Sequence, residues 1–149
     1  MKVKSVFTWI VLLFPLAFLV ACTKDDPNKK VTIPVRGEIY VDGNPVTMLQ
    51  IIAHPEGGMD RQQPTITQGS TSEDGKFELS TYAYADGAPP GTYKLTFVWQ
   101  QYNSAAGSFQ GPDKFKGRYD SPESSTVSLS VEKGNKVVDM GRIDLSTQN

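Results

Sequence analysis

The chain is poor in the residues that carry most metal and redox chemistry. It has one cysteine, Cys22, and one histidine, His54, among 149 residues. A disulfide needs two cysteines, and a zinc site needs three or four ligands drawn from His, Cys and carboxylate side chains. The sequence therefore excludes a disulfide framework, and we expect no metal and no cofactor.

Excess basic charge is also missing. The chain has 15 Lys and Arg residues against 16 Asp and Glu residues, a formal net charge of −1 at pH 7. Proteins that bind nucleic acids usually carry a cluster or stripe of Lys and Arg, and no such patch occurs in this sequence. We therefore expect no nucleic-acid partner.

An apolar run long enough to cross a bilayer is absent from the N-terminal region. The run from Trp9 to Ala21 has about 13 uncharged residues and contains Pro15, whereas a membrane-spanning helix needs about 20 apolar residues. It follows two lysines, Lys2 and Lys4, and ends in small residues. This order is typical of a secretory signal peptide. A signal anchor, or a signal peptide with an incidental cysteine, remains an alternative.

The residues that end this run resemble a known processing motif. Leu19-Val20-Ala21-Cys22 is similar to the lipobox of bacterial lipoproteins. In that family the cysteine sulfur receives a diacylglyceryl group, the preceding peptide is removed, and the new N-terminus receives a further acyl chain such as palmitate. The resemblance implies a signal peptide over residues 1–21, lipidation of Cys22 and stable anchoring by two or three acyl chains. Thr23, where an Asp favours inner-membrane retention, implies the outer membrane or the cell surface.

Cleavage before Cys22 would leave one domain's worth of chain. The remaining 128 residues contain 13 basic and 16 acidic side chains, because Lys2 and Lys4 are lost, and their formal charge is −3. Residues 23–30 are charged and contain no apolar side chain. We therefore predict a tether over residues 22–30 and a folded domain over residues 31–146.

The predicted domain is all-β. Apolar residues alternate with period two, and no window shows a sustained period of 3.6 residues. Asp42-Gly43 and Asp74-Gly75 supply turn signals between strands. The pattern predicts an antiparallel β-sandwich of about seven short strands, over residues 31–41, 46–53, 65–71, 76–82, 92–100, 126–131 and 136–145. Two loops are long, 55–64 and 101–125, and the second exceeds the usual length of a structureless connection.

Several of these segments resemble one family of sandwich domains. RGEIYVDGNPV (36–46), TSEDGKFEL (71–79) and DGAPPGTYKLTF (86–97) are similar to the hairpins and the strand start of carboxypeptidase-regulatory-like, transthyretin-like (prealbumin-like) domains. Residues 119–145 resemble the close of small planctomycete lipoproteins with this domain. The resemblance implies a transthyretin-like sandwich that serves as a structural or adhesive module in the cell envelope.

Enzymatic branches of this family do not match the sequence. The branch that hydrolyses 5-hydroxyisourate uses several histidines and a C-terminal Tyr-Arg-Gly-Ser motif, whereas this chain has only His54 and ends in DLSTQN. Intradiol dioxygenases hold iron with two Tyr and two His. A serine nucleophile would need His54 as its base, and we expect that side chain to lie at the surface. We therefore expect no enzyme.

Acidic turn residues are the remaining candidates for metal or covalent chemistry. Carboxylates in loops can bind Ca²⁺, but the turn residues show no Asp-x-Asp-x-Asp spacing, and we expect them to be solvated. An isopeptide bond would need a buried acid, and Glu78 is expected to face solvent because it alternates with apolar neighbours. The turn residues considered are Asp42, Glu73, Asp74, Asp86 and Asp120.

Aromatic side chains provide the one positive indication of binding. Five of them lie in or beside the 101–125 loop, and Tyr82 and Tyr84 lie near the end of another strand. Exposed aromatic rings can stack on sugars or contact a protein, and buried ones would cap the sandwich. We expect a non-catalytic, lipid-anchored envelope module with a structural or protein-interaction role, or alternatively a glycan-binding accessory lipoprotein. The candidate surface comprises Trp99, Tyr102, Phe109, Phe115 and Tyr119.

Overall fold

The structure is a computed structural model that describes residues 26–148, and this part of the chain is built from strands. The signal segment 1–21 and the predicted lipidation residue Cys22 lie outside the described residues. Within residues 26–148 there is no helix with the length and hydropathy needed to span a bilayer. The strands are β1 Val35–Val41, β2 Asn44–Pro45, β3 Gln50–Pro55, β4 Thr67–Ser70, β5 Lys76–Glu78, β6 Gly91–Val98, β7 Gln101–Asn103, β8 Ser108–Gln110, β9 Ser128–Val131 and β10 Val138–Leu145.

Two four-stranded sheets form the sandwich, which confirms the predicted all-β class. In the first sheet β1 pairs with β10, β2 and β5. The second sheet is antiparallel, in the order β4-β3-β6-β9, and β7 and β8 form a separate ribbon within the long 101–125 loop. The β1–β10 pair is parallel. The reason is that β9 and β10 belong to different sheets, so the chain crosses the sandwich between them and enters the first sheet alongside the start of β1.

The core lies between the sheets and follows the predicted alternation. Ile33, Val35, Ile39 and Val41 are all 5% exposed or less, and they pack into one hydrophobic cluster with residues of the second sheet. Val31 shares their parity but is 78% exposed, because the first β-bridge of this segment, to Ala88, is made at Ile33. The predicted inward alternation therefore holds from Ile33 onward, although the continuous strand β1 begins at Val35.

One predicted strand begins later than the pattern indicates. The sequence predicts a strand over residues 46–53, but β3 begins only at Gln50, and β2 ends at Pro45, before the predicted segment. Met48 lies between them with φ of 57°, in the left-handed region that interrupts an extended strand. Its backbone N–H donates to the Thr71 carbonyl at 2.8 Å, so the bend is held by the start of the next turn.

The loops and termini gather at two opposite ends of the sandwich, which we call the tether end and the distal end. The tether end comprises residues 26–34 and the loops 56–66, 79–90 and 132–137. Three contacts bring these segments together: the Ile33 N–H donates to the Ala88 carbonyl at 2.9 Å, the Val138 N–H donates to the Pro34 carbonyl at 2.9 Å, and Lys30 pairs with Asp60 at 2.8 Å. The distal end comprises the turns at 42–49 and 71–75, the β7–β8 ribbon and the C-terminal residues 146–148.

Candidate functional site

The five aromatic residues expected to form a binding surface separate into two groups. Phe115 is 1% exposed and belongs to the core, while Trp99 and Tyr119 are partly buried and pack against it. The Phe115 ring meets Tyr119 edge-on with centroids 4.9 Å apart, and it lies 6.0 Å from the Trp99 ring. Phe115 is therefore a core residue rather than part of an accessible surface, and the group caps one part of the sandwich.

A single carboxylate holds this aromatic cap together. Asp113 accepts hydrogen bonds from the backbone N–H groups of Trp99, Phe115 and Gly117 at 2.9, 3.2 and 2.9 Å. The Lys114 ammonium lies 3.6 Å from the centre of the Trp99 ring, where a cation–π interaction is favourable. The sequence does not single out Asp113, because nothing in the local pattern indicates that its partners lie on both sides of the ribbon.

Tyr102 and Phe109 form the second group and remain accessible. They face each other across the β7–β8 ribbon, with ring centroids 5.2 Å apart in an edge-on arrangement. Tyr102 is 39% exposed and Phe109 is half-buried. Of the predicted surface, this pair at the distal end is the part that a partner can reach without rearrangement of the core.

A groove of about 880 Å³ opens where the two sheets approach each other. Its lining includes Gln50, Gln68 and Ser70 from the second sheet and Phe109 from the ribbon. The Gln68 amide and the Ser70 hydroxyl have no hydrogen-bond partner among residues 26–148. Amide and hydroxyl groups both donate and accept hydrogen bonds, so the groove offers polar groups of the kind that hydroxyl-rich ligands bind.

The groove depends on a close approach of β4 and β5. A Cβ atom at Gly69 would lie 2.6 Å from the Glu78 carbonyl oxygen, so only glycine allows these backbones to come together. The Gln68 and Ser80 backbones exchange hydrogen bonds at 3.0 and 2.8 Å, which joins the two sheets at this corner. Sequence patterns do not reveal the groove, because its two walls are brought together only by this contact between sheets.

The loop from Ser80 to Gly87 is held in one conformation and presents Tyr84 to solvent. The Asp86 carboxylate accepts hydrogen bonds from the backbone N–H groups of residues 81, 82 and 83 at 2.7, 3.0 and 3.1 Å. Gly87 has φ of 85°, and a Cβ there would lie 1.8 Å from the Ile33 carbonyl oxygen. Tyr84 is 89% exposed at the tip of this constrained loop.

The single histidine has a structural partner. His54 is half-buried on β3, and its Nε2 lies 2.8 Å from the buried Thr96 hydroxyl. Residues 26–148 contain no group of three or more His, Cys, Asp and Glu side chains placed to hold a metal ion. Glu78 is exposed on β5, as expected.

Three of the five turn carboxylates that are candidates for calcium, Asp42, Asp74 and Asp86, have other partners. Asp42 accepts hydrogen bonds from the hydroxyls of Ser146 and Thr147 at 2.8 and 2.5 Å, and these bonds lower the pKa of Asp42. A hydrogen bond from the Lys76 ammonium holds the pKa of Asp74 at about 2. The Asp42 contacts fasten the C-terminal residues to the β1–β2 turn, a long-range link that the sequence does not indicate.

Comparisons with known proteins assign no family. No family model matches the chain, and no curated protein matches it significantly. Partial structural likenesses with TM-scores below 0.5 link the chain to three solved structures. A 9R-lipoxygenase from Cyanothece PCC8801 has a TM-score of 0.41 and 13% identity over 82% of this chain and 17% of that one. The corresponding values are 0.43, 11%, 76% and 30% for the major pilin subunit BcpA of Bacillus cereus, and 0.43, 16%, 80% and 42% for an (S)-allantoin synthase. The chain spans less than half the length of each of these proteins. These partial likenesses assign it neither a family nor an activity.

Proposed function

We propose that the protein is a lipid-anchored module of the bacterial cell envelope that acts by contact with other envelope components rather than by catalysis. The lipid is attached at Cys22, as the lipobox resemblance implies. Thr23 in the following position favours the outer membrane or the cell surface. The proposal rests on the contacts between the predicted tether and one end of the sandwich, because these contacts determine which end faces away from the anchor.

The tether is held by the domain at one end. The Lys30 backbone N–H donates to the Tyr82 hydroxyl at 3.1 Å, and the Lys30 ammonium lies 2.8 Å from the Asp60 carboxylate. If the lipid is attached at Cys22, the distal end of the sandwich faces away from the anchor. The ribbon pair Tyr102 and Phe109 lies at that distal end. An accessible aromatic pair on a ribbon that belongs to neither large sheet is a suitable contact for a protein partner.

The polar groups of the domain also support a binding role over a catalytic one. His54 is engaged by Thr96, and the carboxylates of Asp86 and Asp113 each accept three backbone N–H bonds. Groups with these partners stabilise loops and caps. A catalytic base or nucleophile would instead need to face a site where a substrate can be reached.

Metabolic labelling with a fatty-acid analogue tests the anchor. We expect the wild-type protein and a Thr23→Ala control to incorporate the label, and Cys22→Ala to lose it, because the thioether and the new N-terminus both depend on that cysteine. Label that persists in Cys22→Ala would refute lipid attachment at this residue.

Recovery of partners from envelope extracts tests the interaction. We expect the wild-type protein to retain one envelope protein, and Tyr102→Ala to weaken that retention. Val137→Ala, which removes an exposed side chain at the tether end, is the matched control. Retention that is unchanged in Tyr102→Ala would show that the ribbon is not the contact.

Glycan binding is the second candidate, and the groove favours it. Its unpaired Gln68 and Ser70 side chains are exposed, and Phe109 lines the same groove, so one amide, one hydroxyl and an aromatic ring are available to a ligand there. Affinity electrophoresis in gels that contain hydroxyethyl cellulose or galactomannan tests this role. Retarded migration that is lost in Gln68→Ala would support it, and unretarded migration in both polymers would exclude it for neutral glycans of these types.

A further inference from the structure

We propose that the tether end of the sandwich lies against the membrane and that its exposed apolar side chains contact lipid. The inference rests on the lipid attachment proposed above and adds an orientation and a second membrane contact. The most exposed large apolar side chains of the described residues are Tyr84, Val31, Ile66 and Met59, which are 89%, 78%, 59% and 56% exposed.

All four of these side chains lie at the tether end. Val31 directly follows Lys30. Met59 precedes the Asp60 carboxylate that pairs with Lys30, and Tyr84 is two residues after the Tyr82 hydroxyl that accepts the Lys30 N–H bond. Ile66 precedes Thr67, whose hydroxyl lies 2.8 Å from that of Thr81 in the same loop. One end of the sandwich therefore concentrates the apolar surface that the fold leaves uncovered.

The remaining exposed apolar side chains are covered to a greater extent. Met48, Tyr102 and Ile52 at the distal end and on the second sheet are 36–39% exposed, and Val137 at the tether end is 44% exposed. Scattered apolar residues at that level of exposure are normal on a protein surface. Four side chains at 56–89% exposure in the segments of one end are more typical of a surface that is covered by a partner or a membrane.

The length of the tether identifies the lipid bilayer as the surface that covers it. Asp26 is four residues after Cys22, and four residues of extended chain reach at most about 14 Å. Within the described part of the tether, the Lys29 N–H bonds back to the Asp26 carbonyl at 2.9 Å, which shortens the path further. Acyl chains attached at Cys22 would therefore hold the tether end within a short distance of the bilayer.

Tyr84 has the chemistry and the support expected of an interfacial residue. Its ring borders the groove at the corner where Gln68 meets Ser80, and it has no hydrogen-bond or ring partner within residues 26–148. Tyrosine combines an apolar ring with a polar hydroxyl, and it is enriched where proteins meet the boundary between lipid and water. The Asp86 hydrogen bonds already fix the loop, so little conformational entropy would be lost when Tyr84 enters the interface.

The charge at this end favours an apolar contact over an electrostatic one. Five basic and five acidic side chains occupy the tether end, so its net charge is near zero. We therefore expect contact with neutral phosphatidylcholine as well as with anionic lipid, and little effect of salt. The charged residues are Lys29, Lys30, Arg61, Lys133 and Lys136, with Asp26, Glu56, Asp60, Asp86 and Glu132.

Site-specific fluorescence tests the proposal, because Cys22 would have no free thiol once it is lipidated. Single cysteines are introduced into the full-length protein in two matched pairs, Tyr84→Cys with Tyr102→Cys and Met59→Cys with Met48→Cys. Each pair substitutes the same residue type at opposite ends of the sandwich. The proteins are purified from membranes, labelled with an environment-sensitive maleimide dye and reconstituted in phosphatidylcholine vesicles with or without doxyl-labelled lipid.

We expect the dyes at positions 84 and 59 to shift to shorter wavelength and lose most of their emission to doxyl lipid, at low and at high salt. The dyes at positions 102 and 48 should keep the emission wavelength that they have in water and should not be quenched by doxyl lipid. Equal quenching at both ends, or no quenching at the tether end, would overturn the proposal. A blue shift at positions 84 and 59 in native membranes but not in protein-free vesicles would also overturn it, because a protein would then be the partner.

Failure of the anchor itself would give a different result. Without lipid attachment Cys22 would keep its thiol, and each variant would take up two dye molecules, whether or not a retained apolar segment still floated the protein with the vesicles. That outcome would refute both the proposed lipid anchor and the proposed orientation. Flotation with one dye per chain but no quenching would overturn the orientation alone.

Discussion

Substitution of Phe115 by alanine tests whether the 101–125 loop is part of the core. Phe115 is 1% exposed and contacts the rings of Trp99 and Tyr119. Truncation of a buried phenylalanine costs about 3–5 kcal/mol, and two ring contacts place this residue near the middle or upper part of that range. We therefore expect Phe115→Ala to lose about 4 kcal/mol of a total stability of about 5–15 kcal/mol.

Phe109→Ala is the matched control for this substitution. Phe109 lies in the same loop, but it is half-buried and its ring contact is with Tyr102 on the ribbon. Its removal should cost about 1–2 kcal/mol. In a domain of this size, a loss of about 4 kcal/mol corresponds to a fall in Tm of roughly 15 °C, and the control should fall by at most about half as much.

Urea denaturation followed by Trp99 fluorescence and by circular dichroism measures both changes. The midpoint of unfolding should move to a lower urea concentration in Phe115→Ala. The slope of unfolding free energy against urea concentration should be unchanged if the unfolded state is the same. A loss below about 1 kcal/mol in Phe115→Ala, or equal losses in both variants, would refute the assignment of Phe115 to the core.

Three further predictions concern individual contacts. Gly87→Ala should prevent stable folding, because its Cβ would overlap the Ile33 carbonyl oxygen. Gly134→Ala, at positive φ in open space, should lower the free energy of unfolding by only about 1–2 kcal/mol, and thermal melts of both variants measure the difference. Tyr93→Phe should cost about 1–3 kcal/mol in urea, because a buried carbonyl loses its 2.6 Å hydrogen bond. The Lys30 contact holds the pKa of Asp60 at about 2, below its ordinary 3.8, so its stabilisation is present above pH 3.8 and is lost as pH falls towards 2. Asp60→Asn should flatten that part of the pH profile of the urea midpoint, and an unchanged profile would contradict the ion pair.

The strands could be predicted from the sequence because their signal is local. Alternation of apolar residues depends only on neighbours two positions apart, and it identifies which side chains of β1, β6 and β9 face the core. The parallel pairing of β1 with β10 could not be predicted in this way. It depends on the passage of the chain from one sheet to the other between β9 and β10, a long-range property without a local pattern.

The accessible surface was harder to predict than the fold. Phe109 and Phe115 are the same residue type in the same loop, and the sequence does not separate the half-buried ring from the buried one. Their difference follows from Asp113, whose carboxylate binds the N–H groups on either side of the ribbon. The groove depends in the same way on Gly69, which allows β4 and β5 to meet.

The mass of the mature N-terminal peptide tests the central claim most directly. The protein is purified from membranes in detergent, digested and analysed by mass spectrometry. A lipid-anchored module predicts that the first residue is Cys22, carrying a diacylglyceryl group on sulfur and an acyl chain on its amine, with residues 1–21 absent. A peptide that begins at Met1, or a Cys22 with a free thiol, would contradict the anchor and the orientation derived from it.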